Sequence, residues 1–273
     1  MTPEPPVWNG FTRAALDAAY NNTAAVSHSA ETLANLTALS EGTRARFGTR
    51  LDWPYGPAPR QKIDLFSAGK AGAPLFVFIH GGYWQRNAKE MFSVLAEGPM
   101  ALGFDAALIG YTLAPDASLT GIIAECETAI RLLKREHPGP LVVSGWSAGG
   151  HLAARLLEMP EIDAALSISG VFDLEPIRHC YLQEKLQLTP EEAKEQSPTH
   201  RLANAGKPIS LIVGGAELPE LRRQSADYAA ARMAAGLPVM ISELPGLNHF
   251  SILDFFRQTD PAAVSPYYPL LPG

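Results

Sequence analysis

Ser147 stands at a turn between an apolar segment and a segment of small, helix-forming residues. Residues 141–146 read LVVSGW, residues 145–149 form a Gly-x-Ser-x-Gly pattern, and residues 150–154 read GHLAA. A strand that turns sharply into a helix at such a serine exposes its hydroxyl as a nucleophile at the helix N-terminus. The turn strains the serine backbone, and Gly145 and Gly149 leave room for the strand and the helix. A chance match in a glycine-serine loop is the alternative, and the flanking strand and helix argue against it.

A serine nucleophile needs a general base, and His249 is the candidate. In enzymes built on this kind of turn, an acid and then a histidine follow the serine along the chain. Of the seven histidines, His249 alone lies beyond the last predicted strand, residues 239–244, in a glycine-containing loop before a helix. We therefore predict that His249 is the base, with a surface or helix-capping histidine as the alternative.

Glu217 is the candidate for the acid that orients the base. It is the first carboxylate after the predicted strand 209–214, and Pro219 opens the next helix only two residues later. Asp227 falls in the middle of that helix and Asp254 on the helix after the candidate base, so we expect both to be solvated charges. Aspartate is the commoner residue in this role, and the glutamate departs from that pattern.

The oxyanion that forms during acyl transfer needs main-chain N–H donors near the nucleophile. The residue after the serine, Ala148, is one expected donor, and a loop after an earlier strand should supply the others. Residues 80–84 read HGGYW and follow the predicted strand 75–79, which makes Gly82 and Tyr83 the candidates. A phosphate-binding role for these glycines is disfavoured because no Lys-Ser/Thr pair follows them.

Composition narrows the classes of function. The chain has 273 residues, 47% of them hydrophobic, and a net charge of −6. No run of Lys and Arg points to nucleic acid, and no apolar run is long enough to cross a bilayer. No leader pattern is visible at the N-terminus, which favours a cytoplasmic protein. Cys126 and Cys180 form no metal or redox motif, and no histidine or carboxylate cluster has metal-ligand spacing, so we expect no metal.

Alternating strands and helices must position these residues. Such alternation predicts a single α/β domain over residues 1–273, with a mostly parallel sheet covered by helices on both faces. An arm over residues 1–47 is expected to be helical, with helices at 11–20 and 29–47. Residues 173–205 are expected to form a cap-like insertion, and the proline-rich residues 260–273 an irregular tail. The predicted strands are 48–55, 60–66, 75–79, 105–111, 141–146, 164–169, 209–214 and 239–244, and the predicted helices that alternate with them include 88–102, 119–135 and 219–235.

Several motifs together resemble the α/β-hydrolase group of kynurenine formamidase (arylformamidase) and related carboxylesterases. The motifs are LDAAYNN (16–22), YGP (55–57), HGGYW (80–84), GWSAGG (145–150) and VGGAELPELRRQS (213–225). The resemblance implies a Ser–acid–His hydrolase without metal or cofactor. Carried over position by position, its triad falls on Ser147, Glu217 and His249, the residues that the spacing indicates.

The resemblance implies hydrolysis of a formyl amide or an ester of a small aromatic molecule. A formyl group is small, so such an enzyme needs little acyl space and an aromatic surface for the leaving group, for which Trp84, Trp146 and Phe172 are candidates. Each of these could equally be a core residue. The alternatives are a general short-chain carboxylesterase and a non-catalytic ligand receptor of the same fold. The sequence leaves the oligomeric state open, a homodimer included.

Overall fold

A computed structural model describes residues 4–202 and 206–272. Its strands agree with the predicted ones to within two residues at each end. Residues 1–3 of the predicted arm, 203–205 of the predicted insertion and 273 of the predicted tail lie outside the described residues. The eight strands are β1 (Gly48–Pro54), β2 (Lys62–Phe66), β3 (Leu75–Ile79), β4 (Asp105–Ile109), β5 (Leu141–Trp146), β6 (Ala164–Ile168), β7 (Ile209–Gly214) and β8 (Val239–Leu244).

All eight strands belong to one sheet, in the order β1-β2-β4-β3-β5-β6-β7-β8. β1 pairs antiparallel with β2, and β2 pairs antiparallel with β4. The remaining pairs, from β4 across to β8, are all parallel. The carboxyl ends of β3, β5, β6, β7 and β8 therefore open on one edge of the sheet, where ligands bind in open α/β sheets.

The helices of the described residues cover both faces of this sheet. Their bounds are α1 (Arg13–Ala19), α2 (Asn22–Ala25), α3 (Ser29–Phe47), α4 (Glu97–Ala101), α5 (Leu119–Glu136), α6 (Ala148–Leu156), α7 (Glu175–Arg178), α8 (Gln183–Leu186), α9 (Pro190–Gln196), α10 (Pro219–Ala234), α11 (Ser251–Phe256) and α12 (Pro261–Val264). None of them is both long enough and apolar enough to traverse a bilayer.

The core has two layers, one on each face of the sheet. Every residue of β3 is buried, and successive side chains of a strand point to opposite faces. Val77 accordingly packs in the layer with α5, α6 and α10, whereas Phe76 and Phe78 pack in the layer with α3 and α11. A continuous apolar run such as residues 75–79 is typical of a strand that is buried on both faces, and β3 is buried in this way.

The predicted helix 88–102 is only partly right. Residues Lys89–Ala96 form a 3₁₀-helix, and the α-helix α4 begins after them. The hydroxyl of Ser40, on α3, accepts a hydrogen bond from the Val94 N–H and donates one to the Met91 carbonyl, both at 3.0 Å. The Met91 carbonyl and the Val94 N–H are thus bonded to a side chain from another helix. Sequence periodicity does not reveal such a contact.

The N-terminal arm consists of α1, α2 and α3, and α3 has the predicted bounds. Leu16 and Tyr20, at the start of the arm, are fully buried. An ion pair attaches the far end of the arm, because the Arg44 guanidinium of α3 pairs with Asp64 of β2. The buried Lys89 ammonium joins this cluster, 2.7 Å from the Asp64 carboxylate and 2.8 Å from that of Asp52. The arm is therefore held against the sheet at both ends.

Among its described residues, the region between β6 and β7 contains three short helices, α7, α8 and α9, followed by a 3₁₀ turn at Pro198–His200. Thr189 caps α9, as the Thr-Pro-Glu-Glu sequence there predicts. The tail was expected to be irregular, and this is wrong in part. It contains α12 and a 3₁₀ turn at Ser265–Tyr267, because the Asp260 side chain accepts the Ala262 N–H at 3.0 Å and a proline opens the helix.

Candidate active site

The backbone at Ser147 has the strained geometry expected of a nucleophile turn. Ser147 lies between β5 and α6 with φ 57° and ψ −117°, outside the regions that L-residues normally populate. Its N–H donates to the Ile168 carbonyl of β6 at 2.8 Å, which ties the turn to the neighbouring strand. The surrounding sheet thereby holds this conformation in place.

The glycines around this turn are required by space. A Cβ on Gly149 would lie 1.9 Å from the Ile79 carbonyl oxygen, and one on Gly145 would lie 2.2 Å from the Gly149 oxygen. A Cβ on Gly81 would meet the Trp146 carbonyl at 2.6 Å. The predicted need for Gly145 and Gly149 is confirmed, and the loop after β3 lies directly against the serine turn.

A buried histidine and carboxylate form the most specific contact of the site. His249 Nδ1 lies 2.6 Å from Glu217 Oε2, and both side chains are almost completely buried. Glu217 Oε1 accepts hydrogen bonds from the Ser169 hydroxyl at 2.5 Å and from the Gly214 N–H at 2.8 Å. A carboxylate that accepts three hydrogen bonds is fixed in position, so it fixes the imidazole as well.

The serine and the histidine open on the same cavity. Its volume is about 140 Å³, and its walls include Ser147, His249, Gly82, Tyr83 and Trp146. Because Nδ1 of the histidine faces the carboxylate, its Nε2 is the nitrogen left for the serine and a substrate. Ala148 is the first residue of α6, so its N–H has no partner within the helix.

The competing carboxylates are placed elsewhere. Asp227 pairs with Arg223 at 2.6 Å, and Asp254 pairs with Arg257 at 2.7 Å. The side chains of both aspartates are at least half exposed. These contacts agree with the prediction that both are solvated charges.

Of the three aromatic side chains predicted to contact substrate, only Trp146 lines the cavity. Trp84 is fully buried with its ring edge-on to that of His151, at 5.0 Å between centroids. Phe172 is fully buried and stacks on Tyr228 at 4.6 Å. Trp84 and Phe172 are therefore core residues, the alternative that the sequence left open, because the chain turns their side chains inward after β3 and β6.

Comparison with known proteins gives the family. The profile of the BD-FAE family matches residues 63–220, more than half of the chain. The chain belongs to the BD-FAE family. A kynurenine formamidase of Danio rerio is 33% identical over 241 residues, which span 81% of this chain and 82% of that protein.

Solved structures share the fold of this BD-FAE protein. The crystal structure of a protein assigned as a thioesterase from a Silicibacter species is 30% identical and superposes with a TM-score of 0.84, covering 92% of this chain and 98% of that one. A hyperthermophilic esterase of Pyrobaculum calidifontis superposes with a TM-score of 0.71 at 16% identity, over 93% and 95% of the two chains. The α/β-hydrolase fold is thereby confirmed, and this BD-FAE protein is a hydrolase.

Two further histidines near the site are structural. His80 Nδ1 lies 2.9 Å from the Gly81 carbonyl, and His151 Nε2 lies 2.8 Å from the Gln196 carbonyl. Each of these nitrogens must carry the proton, since a carbonyl oxygen can only accept. Burial lowers the pKa of both imidazoles from 6.5 to about 4. Both are therefore neutral near pH 7 and support the loops around the turn.

Sequence reasoning missed two residues of the site in this BD-FAE chain, Ser169 and Asn22, and one contact of Trp146. Ser169 binds the candidate acid, and its position directly after β6, beside the strands that carry the serine and the acid, was the available signal. The Trp146 indole N–H donates to the His249 carbonyl at 2.8 Å, so this side chain also holds the histidine loop. Asn22, from the arm, lines the cavity. In residues 4–202 and 206–272, no cluster of three or more His, Cys, Asp and Glu side chains could hold a metal.

Proposed function

We propose that this BD-FAE hydrolase cleaves a formyl amide or a short-chain ester of a small aromatic molecule by a Ser147–His249–Glu217 triad. The observation that carries the proposal is the 2.6 Å contact between the buried His249 and Glu217, beside a cavity that contains a strained serine. Such a constellation activates a serine hydroxyl that would otherwise be a weak nucleophile.

In the first half of the reaction, the Ser147 hydroxyl attacks the substrate carbonyl while His249 Nε2 takes its proton. Glu217 keeps the imidazole in the tautomer that can accept this proton and stabilises the imidazolium that forms. The N–H groups of Gly82, Tyr83 and Ala148 bind the developing oxyanion. His249 then protonates the leaving nitrogen or oxygen, which leaves an acyl group on the serine.

In the second half, water attacks the acyl-enzyme, with His249 as its general base, and releases the acid. The cavity volume of about 140 Å³ is close to that of an engineered protein cavity that admits one benzene molecule. This space suits a short acyl group. The Danio relative is named for formamide hydrolysis, which supports an aryl formamide as substrate.

A general short-chain carboxylesterase is the second candidate. It is supported by the esterase and thioesterase names of the superposed structures, and the same triad serves both reactions. The proposal includes action in the cytoplasm on a free small molecule, without a cofactor and without a nucleic-acid or membrane partner. Analytical ultracentrifugation of the parent protein would measure its oligomeric state and detect a homodimer.

The decisive experiment replaces the nucleophile. We expect Ser147→Ala to lower kcat/KM by about 10³-fold or more for both N-formylkynurenine and phenyl acetate, with unchanged circular dichroism. Ser144→Ala is the matched control, because that buried hydroxyl on β5 has no hydrogen-bond partner within the described residues. The control should stay within about twofold of the parent.

The same assay compares acyl groups. We expect the parent to hydrolyse acetyl esters with a higher kcat/KM than octanoyl esters, because an eight-carbon chain exceeds the space beside the serine.

A Ser147→Ala rate within about tenfold of the parent, equivalent to about 1.4 kcal/mol of barrier, would contradict the serine mechanism.

A further inference from the structure

The loop after β3, residues 80–87, has bonded carbonyl groups and two N–H groups without a main-chain partner. Four of its carbonyls accept hydrogen bonds of 2.8–3.2 Å from within the chain, those of His80, Gly81, Gly82 and Trp84. The N–H groups of Gly82 and Tyr83 donate to no main-chain carbonyl among the residues that the structure describes. Both residues line the cavity that contains Ser147. These two donors are therefore left for a ligand of the cavity.

The backbone that presents these donors is strained. Two consecutive residues that are not glycine have left-handed backbone, with φ 50° at Tyr83 and 59° at Trp84. L-residues rarely adopt this conformation, because their Cβ comes too close to a main-chain oxygen. It persists only where the surrounding contacts hold it. The contacts of the side chains in this loop therefore decide where its N–H groups lie.

The N-terminal arm supplies the polar contacts of the Tyr83 side chain. The Tyr83 hydroxyl donates to the Tyr20 carbonyl at 2.7 Å and accepts the Asn22 side-chain N–H at 2.9 Å. Tyr83 is 2% exposed, and burial raises the pKa of its phenol well above the ordinary value, so the hydroxyl keeps its proton. Tyr20 is itself fixed, because its own hydroxyl accepts the Gln224 side-chain N–H of α10 at 2.8 Å. The arm thus holds the strained loop against a second helix.

We propose that the hydrogen bond from the Tyr83 hydroxyl to the Tyr20 carbonyl holds the Gly82 and Tyr83 N–H groups where they bind the oxyanion. This proposal rests on the function proposed above. The Tyr83 phenol is then a positioning group, and the arm is a working part of the oxyanion site. Donors of this kind act when negative charge develops on the substrate oxygen. Their displacement should therefore weaken binding of the transition state and leave binding of the substrate unchanged.

The test removes the hydroxyl and keeps the ring. In Tyr83→Phe, the loop loses the contact that holds its strained backbone, and its N–H groups move away from the oxyanion. We expect kcat and kcat/KM for phenyl acetate to fall together by about tenfold or more, with KM within about twofold of the parent. The fall is part of the about 10²–10³-fold in kcat that one such donor contributes.

A matched pair of ketones separates the transition state from the ground state. The Ser147 hydroxyl adds to the carbonyl carbon of 2,2,2-trifluoroacetophenone, its proton passes to His249, and the carbonyl oxygen becomes an oxyanion. Acetophenone has a similar shape but forms no stable adduct. We expect the inhibition constant of the trifluoroketone to rise at least about tenfold in Tyr83→Phe, and that of acetophenone to stay within about twofold of the parent.

Tyr55 provides the matched control. Its hydroxyl donates to the Gly110 carbonyl at 2.6 Å, and Tyr55 does not line the cavity. Tyr55→Phe therefore also removes a hydrogen bond from a phenol to a main-chain carbonyl, with a similar cost in stability. Its kinetic and inhibition constants should stay within about twofold of the parent. Circular dichroism and urea unfolding show whether each variant is folded.

Tyr20→Phe is the second variant, to be used if Tyr83→Phe does not fold. It removes the acceptor of the Gln224 side-chain N–H and so loosens the residue whose carbonyl holds Tyr83. The same constants should change in the same direction.

An unchanged kcat in Tyr83→Phe, or an equal rise of the inhibition constants of the two ketones, would overturn the proposal. A loss in Tyr55→Phe as large as in Tyr83→Phe would overturn it too. Failure of the proposed function has a different signature. The trifluoroketone would then inhibit the parent no better than acetophenone does, and Ser147→Ala would cleave phenyl acetate at the rate of the parent.

Discussion

Glu217, the proposed triad acid, is a glutamate at a position where aspartate is the commoner residue. The side chain is one methylene longer than aspartate, and its carboxylate is held by the Ser169 hydroxyl and the Gly214 N–H as well as by His249. These donors hold the longer side chain in one geometry. We infer that the identity of the acid matters less than the three contacts that position it.

Glu217→Gln should therefore be strongly impaired. A neutral amide can neither stabilise the imidazolium nor enforce its tautomer, and we expect kcat to fall about 10³–10⁴-fold, as for the corresponding change in a serine protease. Asp227→Asn is the control, because the exposed Asp227 pairs with Arg223 on the surface of its own helix. A near-normal Glu217→Gln together with an impaired Asp227→Asn, measured as kcat on phenyl acetate, would show that the acid is wrongly assigned.

The buried histidines predict how stability depends on pH. The pKa of His151 is lowered to about 4 in the folded chain, so between pH 6.5 and 4 the unfolded chain binds a proton that the folded chain does not. Stability should then decrease as pH falls through this window, by up to about 1.4 kcal/mol per pH unit for this residue.

Denaturant unfolding of His151→Gln measures this contribution. The variant should lose less stability between pH 6.5 and 4 than the parent, because glutamine does not titrate. The exposed His28 supplies the control, and His28→Gln should follow the parent. Parallel pH profiles for the parent and His151→Gln would refute the assignment of this proton uptake to His151.

At the scale of elements, the serine turn depends on the close approach of β3, β5 and α6. A methyl group on Gly149 would overlap the Ile79 carbonyl, and one on Gly42, in α3, would meet nothing within 4 Å. We expect Gly149→Ala to lower the free energy of unfolding by about 3 kcal/mol or more, and Gly42→Ala to raise it by about 0.5–1 kcal/mol.

Urea unfolding and esterase activity of the two glycine variants check this. Gly149→Ala should also lose activity, since the added methyl group forces apart the strand and the helix that hold Ser147, the proposed nucleophile. Gly42→Ala should retain it, because α3 carries the substitution on an exposed face. Equal stability of the two variants would mean that the turn relaxes around the added methyl group.

Sequence patterns predicted the elements well where one physical signal dominates. The apolar run Leu75–Ile79 can be interpreted only as a strand, and the residues before Pro219 only as a short loop. The order of residues along the chain then leaves one histidine as candidate base and one carboxylate as candidate acid. The misses depend on tertiary contacts. The Ser40 hydroxyl accepts the Val94 N–H in the segment that is 3₁₀ instead of the predicted α-helix. Trp84 points inward, where its ring packs against that of His151.

On the scale of the whole molecule, the site combines a hydrolase core with an arm from outside it. The BD-FAE match spans residues 63–220 and includes Ser147 and Glu217, whereas the arm precedes it. Asn22 belongs to the LDAAYNN motif, which resembles the formamidase group. The motif does not indicate that Asn22 lines the cavity. That contact joins residues far apart in the chain, and periodicity carries no information about it.

The beginning of the arm has a thermal consequence. α1 has seven residues and α2 has four, and helices this short do not persist in water without tertiary contacts. Segments of this kind open locally at lower free energy than the sheet, and heating populates their open form first. Opening of α2 would withdraw Asn22 from the wall of the cavity but leave the residues of the proposed triad in place.

Warming should therefore lower the activity of the enzyme before the sheet unfolds. The kcat/KM for phenyl acetate should fall below the trend set at lower temperatures while the circular dichroism of the sheet is still native. A kcat/KM that follows this trend up to the global unfolding transition would show that the arm and the sheet melt as one unit. If the arm opens first, a cell at the warm edge of its range contains a folded enzyme whose substrate cavity is open on one side.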